Sequence, residues 1–274
     1  MTATTQTFVK PQIGPLLRQW RERRRLSQLE LSNQANVSSR HLSFLETGRS
    51  KPSREMVLHL SDELEVPLRE RNSLLLAAGF APAYTEHSLA TPQMSAVRTA
   101  VSQVLSGHDP YPALVVDGGW DIVDVNASFA LFTEGVSPAL LVPPINALRL
   151  TLHPEGMAPH IVNLGEWRGH LMQRMRRRVA RGDGLGELYR ELSGYPCDQV
   201  EPEFDEPGPG GEIFVPLQLR HGGRVLSFLG MLATFGTPRD VTIAELVIES
   251  FFPADPETGA VLRARRAPHS ADTS

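Results

Sequence analysis

Cysteine is nearly absent: Cys197 stands alone among 274 residues. No internal disulfide can form, which suits a reducing compartment, and the lone thiol reads as an ordinary side chain before a reactive one. No apolar run approaches the length of a membrane span, and the N-terminus lacks the charged-then-apolar order of a signal peptide. A cytoplasmic protein is expected. Catalytic signatures are missing as well. There is no Gly-x-Ser-x-Gly elbow, and Gly208-Pro209-Gly210-Gly211 lacks the Lys and helix of a phosphate-binding loop. His153, His160 and His170 stand seven and ten residues apart, which matches no compact metal-ligand spacing. Neither an enzyme, a metal site nor a cofactor is expected.

What the chain has is length for two modest cores, 41% hydrophobic residues, and an uneven distribution of charge. Residues 1–80 hold 12 Lys and Arg against 8 Asp and Glu, whereas the remainder holds 15 against 23. The net charge of −4 therefore conceals a basic N-terminal part and an acidic body. Such asymmetry fits DNA binding through one end.

That end contains the most informative stretch, residues 27–49. Ser27 is placed to cap a helix, with Glu30 at the capping-box position, and Leu29, Leu31 and Ala35 supply an apolar side. The pattern breaks at Asn36-Val37-Ser38, Ser38 can cap again, and Leu42 and Leu45 carry a second helix to Gly48. Ser39, Arg40, Ser43 and Phe44 are left outward, and hydroxyls and a guanidinium suit phosphate or base-edge contact. Around this pair, Ile13, Leu16, Leu17 and Trp20 predict a first helix ending in the basic run Arg21–Arg25, either a solvated end or a phosphate attractor. Ser53 begins a helix with Met56, Val57, Leu60 and Leu64 inward, and residues 69–78 form a fifth.

Arg21, Ser27-Gln28-x-x-Leu31 and Leu42-x-x-Leu45-Glu46-x-Gly48-Arg49 resemble the helix-turn-helix of Xre/Cro-type bacterial regulators. The resemblance implies that the second helix enters the major groove while the first crosses the backbone. Gln28 would then hold a phosphate, Ser39, Arg40 and Phe44 would read bases, and Arg21 would pair internally with Glu46. The expected DNA-binding set is Gln28, Ser38, Ser39, Arg40, His41, Ser43, Phe44, Arg49 and Lys51. This reading is preferred to a helical hairpin that binds no DNA.

Beyond a linker at 85–95 the periodicity changes. Residues 96–105 predict a helix; 113–117 and 120–125 predict a hairpin turning on Gly118-Gly119, with Asn126 capping the helix of Phe129, Leu131 and Phe132. Helices follow over about 146–152, 164–181 and 184–193, then an acidic Pro/Gly-rich loop at 201–211. Strands at 213–220, 225–235 and 246–252 and a helix at 256–265 close the pattern. This order suits a five-stranded antiparallel sheet with helices on one face. Strand, glycine turn, strand, Asn and helix is also how PAS-like sensor domains open.

Leu74–Pro82, Trp120–Asn126, Thr234–Pro238 and Glu249–Pro253, downstream of this helix-turn-helix, resemble the MmyB/MltR-like regulators. The resemblance implies an internal apolar pocket for a fatty-acid-like ligand. The whole is read as an α+β chain: a five-helix domain at 1–84, the linker, a PAS-like ligand-binding domain at 96–266, and a disordered tail at 267–274. Phe129, Phe132, Met172, Met175, Phe228 and Met231 are candidates for the pocket wall, although apolar stripes of this kind are more often plain core. Arg174 and Arg178 could meet a ligand carboxylate, whereas an arginine-rich run is more often a solvated face. The expected function is a homodimeric, sequence-specific transcription regulator whose double-stranded DNA operator binding responds to that ligand. The alternative is a C-terminal domain that serves only dimerisation or docking.

Overall fold

A computed structural model describes residues 12–182, 184–202 and 214–266. Residues 1–10, expected from their polar sequence to be loose, the acidic loop from 203 on and the tail at 267–274 lie outside the described residues. The chain divides into two compact units. One comprises the residues up to His87 together with Thr237–Ala244, the other Ser88–Gly236 and the residues from Glu245 on.

In the first unit the sequence signals act locally. Helices α1 (Ile13–Arg23), α2 (Gln28–Gln34), α3 (Ser39–Glu46), α4 (Arg54–Glu63) and α5 (Leu68–Ala78) follow in order. Ser27 accepts from the Glu30 backbone while the Glu30 carboxylate accepts from the Ser27 backbone, a complete capping box. Ser38 and Ser53 cap α3 and α4 through the N–H groups of His41 and Met56. Helices of seven and eight residues are not stable alone, so their shared core, with Leu17, Trp20, Leu31, Leu42, Leu45, Val57, Leu60 and Leu74, holds them. Burying each large apolar side chain contributes about 1.5–3 kcal/mol. Gly14 permits the closest approach: a Cβ there would lie 2.5 Å from the Glu46 carbonyl oxygen.

Two expectations need correction here. Leu29 is 61% exposed, because two helical steps place it roughly 200° around α2 from buried Leu31. The basic run after Trp20 is largely structural. Arg21 is buried, Arg23 lies over the Trp20 ring, and Arg24 donates to the carbonyls of Leu64 and Glu65 at the end of α4.

The first unit is completed from far along the chain. Thr85 and Asp240 form a parallel bridge, and the Val241 N–H donates to the Thr85 carbonyl at 2.8 Å. The Asp240 carboxylate accepts from the Thr85 hydroxyl at 2.9 Å and lies 2.8 Å from His87 Nδ1. Burial alone would push this carboxyl up. Hydrogen bonds from the His87 and Thr85 side chains and from the backbone N–H groups of His87 and Thr242 outweigh it, leaving Asp240 below its ordinary value.

The second unit begins with α6 (Ser95–His108), then β1 (Ala113–Val116), β2 (Ile122–Val125) and a 3₁₀ segment, Ala127–Thr133. Helices α7 (Ala147–Leu152), α8 (Leu164–Arg181) and α9 (Gly186–Ser193) precede β3 (Leu217–His221) and β4 (Arg224–Thr234). The connection carrying α10 (Val241–Glu245) leads to β5 (Val247–Pro253) and α11 (Pro256–Arg266). The sheet is antiparallel throughout, in the order β2-β1-β5-β4-β3. Leu114 and Val116 face the main core, while Ala113 and Val115 pack with Val101 and Leu105 of α6 and Ile248. Helices therefore cover both faces of β1, not one, which is why that strand is uniformly apolar.

The hairpin turns on Gly118-Gly119, closed by the Trp120 N–H donating to the Asp117 carbonyl at 3.1 Å, but neither glycine takes the left-handed region. Trp120 is the residue in the left-handed region, at φ 68°. The Asp117 carboxylate holds the turn by accepting from the N–H groups of Gly119 and Asp121. Asn126 does not cap a helix. Its buried amide accepts from the Ala113 N–H and donates to the carbonyls of Tyr111 and Leu105, tying β1 to α6.

Candidate nucleic-acid interface and ligand cavity

The outward side of α3 is built on a buried ionic network. Arg21 donates to both oxygens of Glu46, at 2.6 and 2.9 Å, and to the Leu26 carbonyl. The expected ion pair is present. Gln28 donates its amide to the same carboxylate at 2.7 Å, so its side chain is turned toward Glu46 at the start of α2. Ser39 and Ser32 share a hydroxyl–hydroxyl bond of 2.7 Å that fixes α2 against α3. Ser38 is engaged as the cap of α3.

What remains toward solvent is cationic and aromatic. Arg40 is exposed, with its guanidinium 5.3 Å from the centre of the half-buried Phe44 ring, and Arg49 approaches the same ring at 5.9 Å. His41 and Ser43 are half-buried beside them, and Lys51 is exposed in the following loop. The structure thus gathers Arg40, Phe44 and Arg49 into one patch, while Gln28, Ser38 and Ser39 also serve the framework.

In the second unit a cavity of about 30 Å³ lies between the sheet and α7, α8 and the 127–133 segment. That is room for roughly two water molecules. Its wall takes Leu114 from β1, Trp120 from the turn, Phe129 and Phe132, four residues of α7, Met157, Trp167 and Leu171, Leu217, and Glu249 and Phe251 from β5. Phe132 meets Phe129, Phe228 and Phe251 edge to face, an arrangement that fixes the aromatic lining.

The eight sequence candidates divide. Phe129 and Phe132 line the cavity; Met172, Met175 and Phe228 are buried in the surrounding core without lining it. Met231 is 54% exposed, because its parity on β4 is opposite to that of Phe228. Arg174 and Arg178 do not line the cavity. Arg174 places its guanidinium 4.3 Å from the Trp120 ring centre and 3.8 Å from Glu249, and Arg178 donates to the Gly118 carbonyl.

Sequence reasoning missed the polar part of this wall, which is Trp120, Thr151, Trp167 and Glu249. Glu249 is buried, and burial pushes its carboxyl up, against the pull of Arg174. Burial likewise lowers Arg174, and lowers His170, which stacks on Trp167. Trp120 is 2% exposed and Trp167 5%, and the indole N–H of each meets no acceptor. A bulky residue at positive φ stores about 1–3 kcal/mol of strain, sustained by the surrounding structure. Here Asn146 supplies that support: it caps α7 and donates to the Gly119 carbonyl and the Asp121 carboxylate beside Trp120. The signal that could have found Glu249 is strand parity, since it shares its face with Phe251 by period two. Among the described residues no three His, Cys, Asp or Glu side chains gather as metal ligands, and no helix is long and apolar enough to cross a membrane.

Comparison with known proteins adds the following. Residues 12–74 match the family described as a helix-turn-helix domain, and residues 97–264 match the MmyB-like transcription regulator ligand binding domain. No curated protein matches the chain. Among solved structures, an RNA-binding light-oxygen-voltage receptor is similar at 15% identity and a TM-score of 0.29, covering 95% of this chain. The chain spans 62% of that receptor's length.

Proposed function

This chain belongs to the MmyB-like transcription regulators, and on that premise we propose that its operator binding is set by a small, fatty-acid-like molecule inside the second unit. It is a DNA-binding transcription regulator. The observation that carries the finer reading is the largely apolar cavity walled by Phe129, Phe132 and Phe251. At about 30 Å³ the cavity is smaller than an acyl chain, which would enter by displacing α7 or the 127–133 segment. A ligand acts as a switch only through unequal affinity for two arrangements. The change would travel through residues 85–95 and α6. On the DNA side, Arg40, Ser39 and Phe44 read bases while Arg49 and Lys51 hold phosphates. One module this small covers little DNA, so a homodimer binds two-fold-related half-sites about one helical turn apart. A cytoplasmic setting follows from that role.

The small cavity also favours a second reading, in which the C-terminal unit serves only dimerisation or docking. Operator binding measured with and without medium- and long-chain acyl compounds, free acids included, separates the two. Wild type should change its operator affinity, and Phe132→Trp, which overfills the cavity, should mimic or block the change. If no acyl compound alters operator affinity and the substitution does neither, the sensing reading fails and the docking reading stands.

A further inference from the structure

Resting on the sensing reading, we propose that the cavity binds an uncharged carbonyl head group, a ketone, ester or amide, through the indole N–H groups of Trp120 and Trp167. Both tryptophans line the cavity, both are more than nine-tenths buried, and each indole N–H lacks an acceptor. A buried donor without a partner is costly, so two such tryptophans lining one cavity suit an acceptor brought by a ligand. Indole nitrogen can only donate, which fixes the complementary group as an oxygen with free lone pairs.

The charge of that oxygen follows from the rest of the wall. Among the described residues no Lys, Arg or His lines the cavity, whereas Glu249 does. Arg174 lies 3.8 Å from that carboxylate and 4.3 Å from the centre of the Trp120 ring, but is not among the lining residues. A ligand carboxylate would therefore enter beside an existing buried acid with no cation of its own in the wall, an arrangement that costs both charges their solvation. A neutral carbonyl meets no such penalty. The acyl chain then extends along Phe129, Phe132 and Phe251.

The test uses the full chain with ¹⁵N-labelled tryptophan, whose three indole signals belong to Trp20, Trp120 and Trp167. Trp20 sits in the core of the first unit and serves as internal reference. The probes are methyl decanoate, decanoate and undecane, added at about pH 8, where a free acid in water is ionised. Methyl decanoate should move the Trp120 and Trp167 signals downfield and leave Trp20 in place. It should bind roughly tenfold more tightly than either other probe, the effect of one to two neutral hydrogen bonds. Trp167→Phe should erase the preference over undecane, and Glu249→Gln should narrow the preference over decanoate. The proposal is overturned if decanoate binds as tightly as the ester, or if the ester binds while both indole signals stay put; either result leaves the sensing reading standing. Failure of all three probes to bind overturns the sensing reading with it.

Discussion

Around the functional surface of the first unit, the polar side chains are already spent on the protein itself. Gln28, Arg21 and Glu46 form one closed network, Ser32 bonds Ser39, and Ser27, Ser38 and Ser53 close the starts of three helices. Around the cavity of the second unit the reverse holds. Two indole N–H groups are unanswered, Glu249 and Arg174 stand 3.8 Å apart, and Trp120 holds a strained backbone. A DNA reader gains from a rigid frame that presents Arg40 and Arg49 in fixed positions, since a misplaced guanidinium loses its bidentate contact. A sensor gains from an interior whose best-satisfied state includes the ligand.

The largest break in this contrast should come from opening the closed network. Glu46→Ala leaves Arg21 buried without its partner and should cost about 3–5 kcal/mol in urea unfolding of the first unit. An unchanged midpoint would show that the network is incidental. Next, Arg40→Ala should weaken specific operator binding by about 1–3 kcal/mol. Arg49→Ala or Lys51→Ala should instead weaken all DNA alike and reduce the salt slope by about one. Fluorescence anisotropy on operator and scrambled duplexes at several salt concentrations tells them apart. Smaller still, Ser27→Ala should cost about 1 kcal/mol of stability while leaving the DNA salt dependence as it was.

The smallest effect is the sharpest comparison, because buried acids of the two units respond to pH with opposite sign. Asp240 is held below its ordinary value, so its contribution is present above about pH 3.9 and is lost as pH falls through its folded-state value. Glu249 is held above its ordinary value, so the contribution is full below about pH 4.3 and is lost as pH rises through the folded-state value. Urea midpoints followed against pH should lose the acid-side slope in Asp240→Asn and the rising-pH slope in Glu249→Gln. Identical profiles for wild type and both variants would show that neither acid is coupled to folding.

The same contrast explains what could be read from the chain alone. Caps, turns and the α2–α3 pair are written within a few neighbouring residues, so Ser27, Ser38, Ser53 and Gly48 placed the helices of the first unit to within a residue or two. The five strands and their antiparallel sheet were legible from alternation and turn residues. The cavity was not, because its wall is assembled by pairings between distant segments, such as Leu114 opposite Glu249. Gly118-Gly119 drew attention away from Trp120, which carries the positive φ only because Asp117 and Asn146 hold the turn around it. Leu29 and Met231 were misjudged for a simpler reason: an apolar side chain names no face until helix phase or strand parity is fixed.

The bridge between Thr85 and Asp240 gives the first unit a history as well as a shape. His87 and Asp240 are 153 residues apart, and a ribosome adds about 5–20 residues each second. The five helices therefore leave the ribosome roughly eight to thirty seconds before the carboxylate that fastens their last residues exists. Through that interval a nascent chain carries α1–α5 with Thr85 and His87 unanswered, until synthesis reaches Asp240.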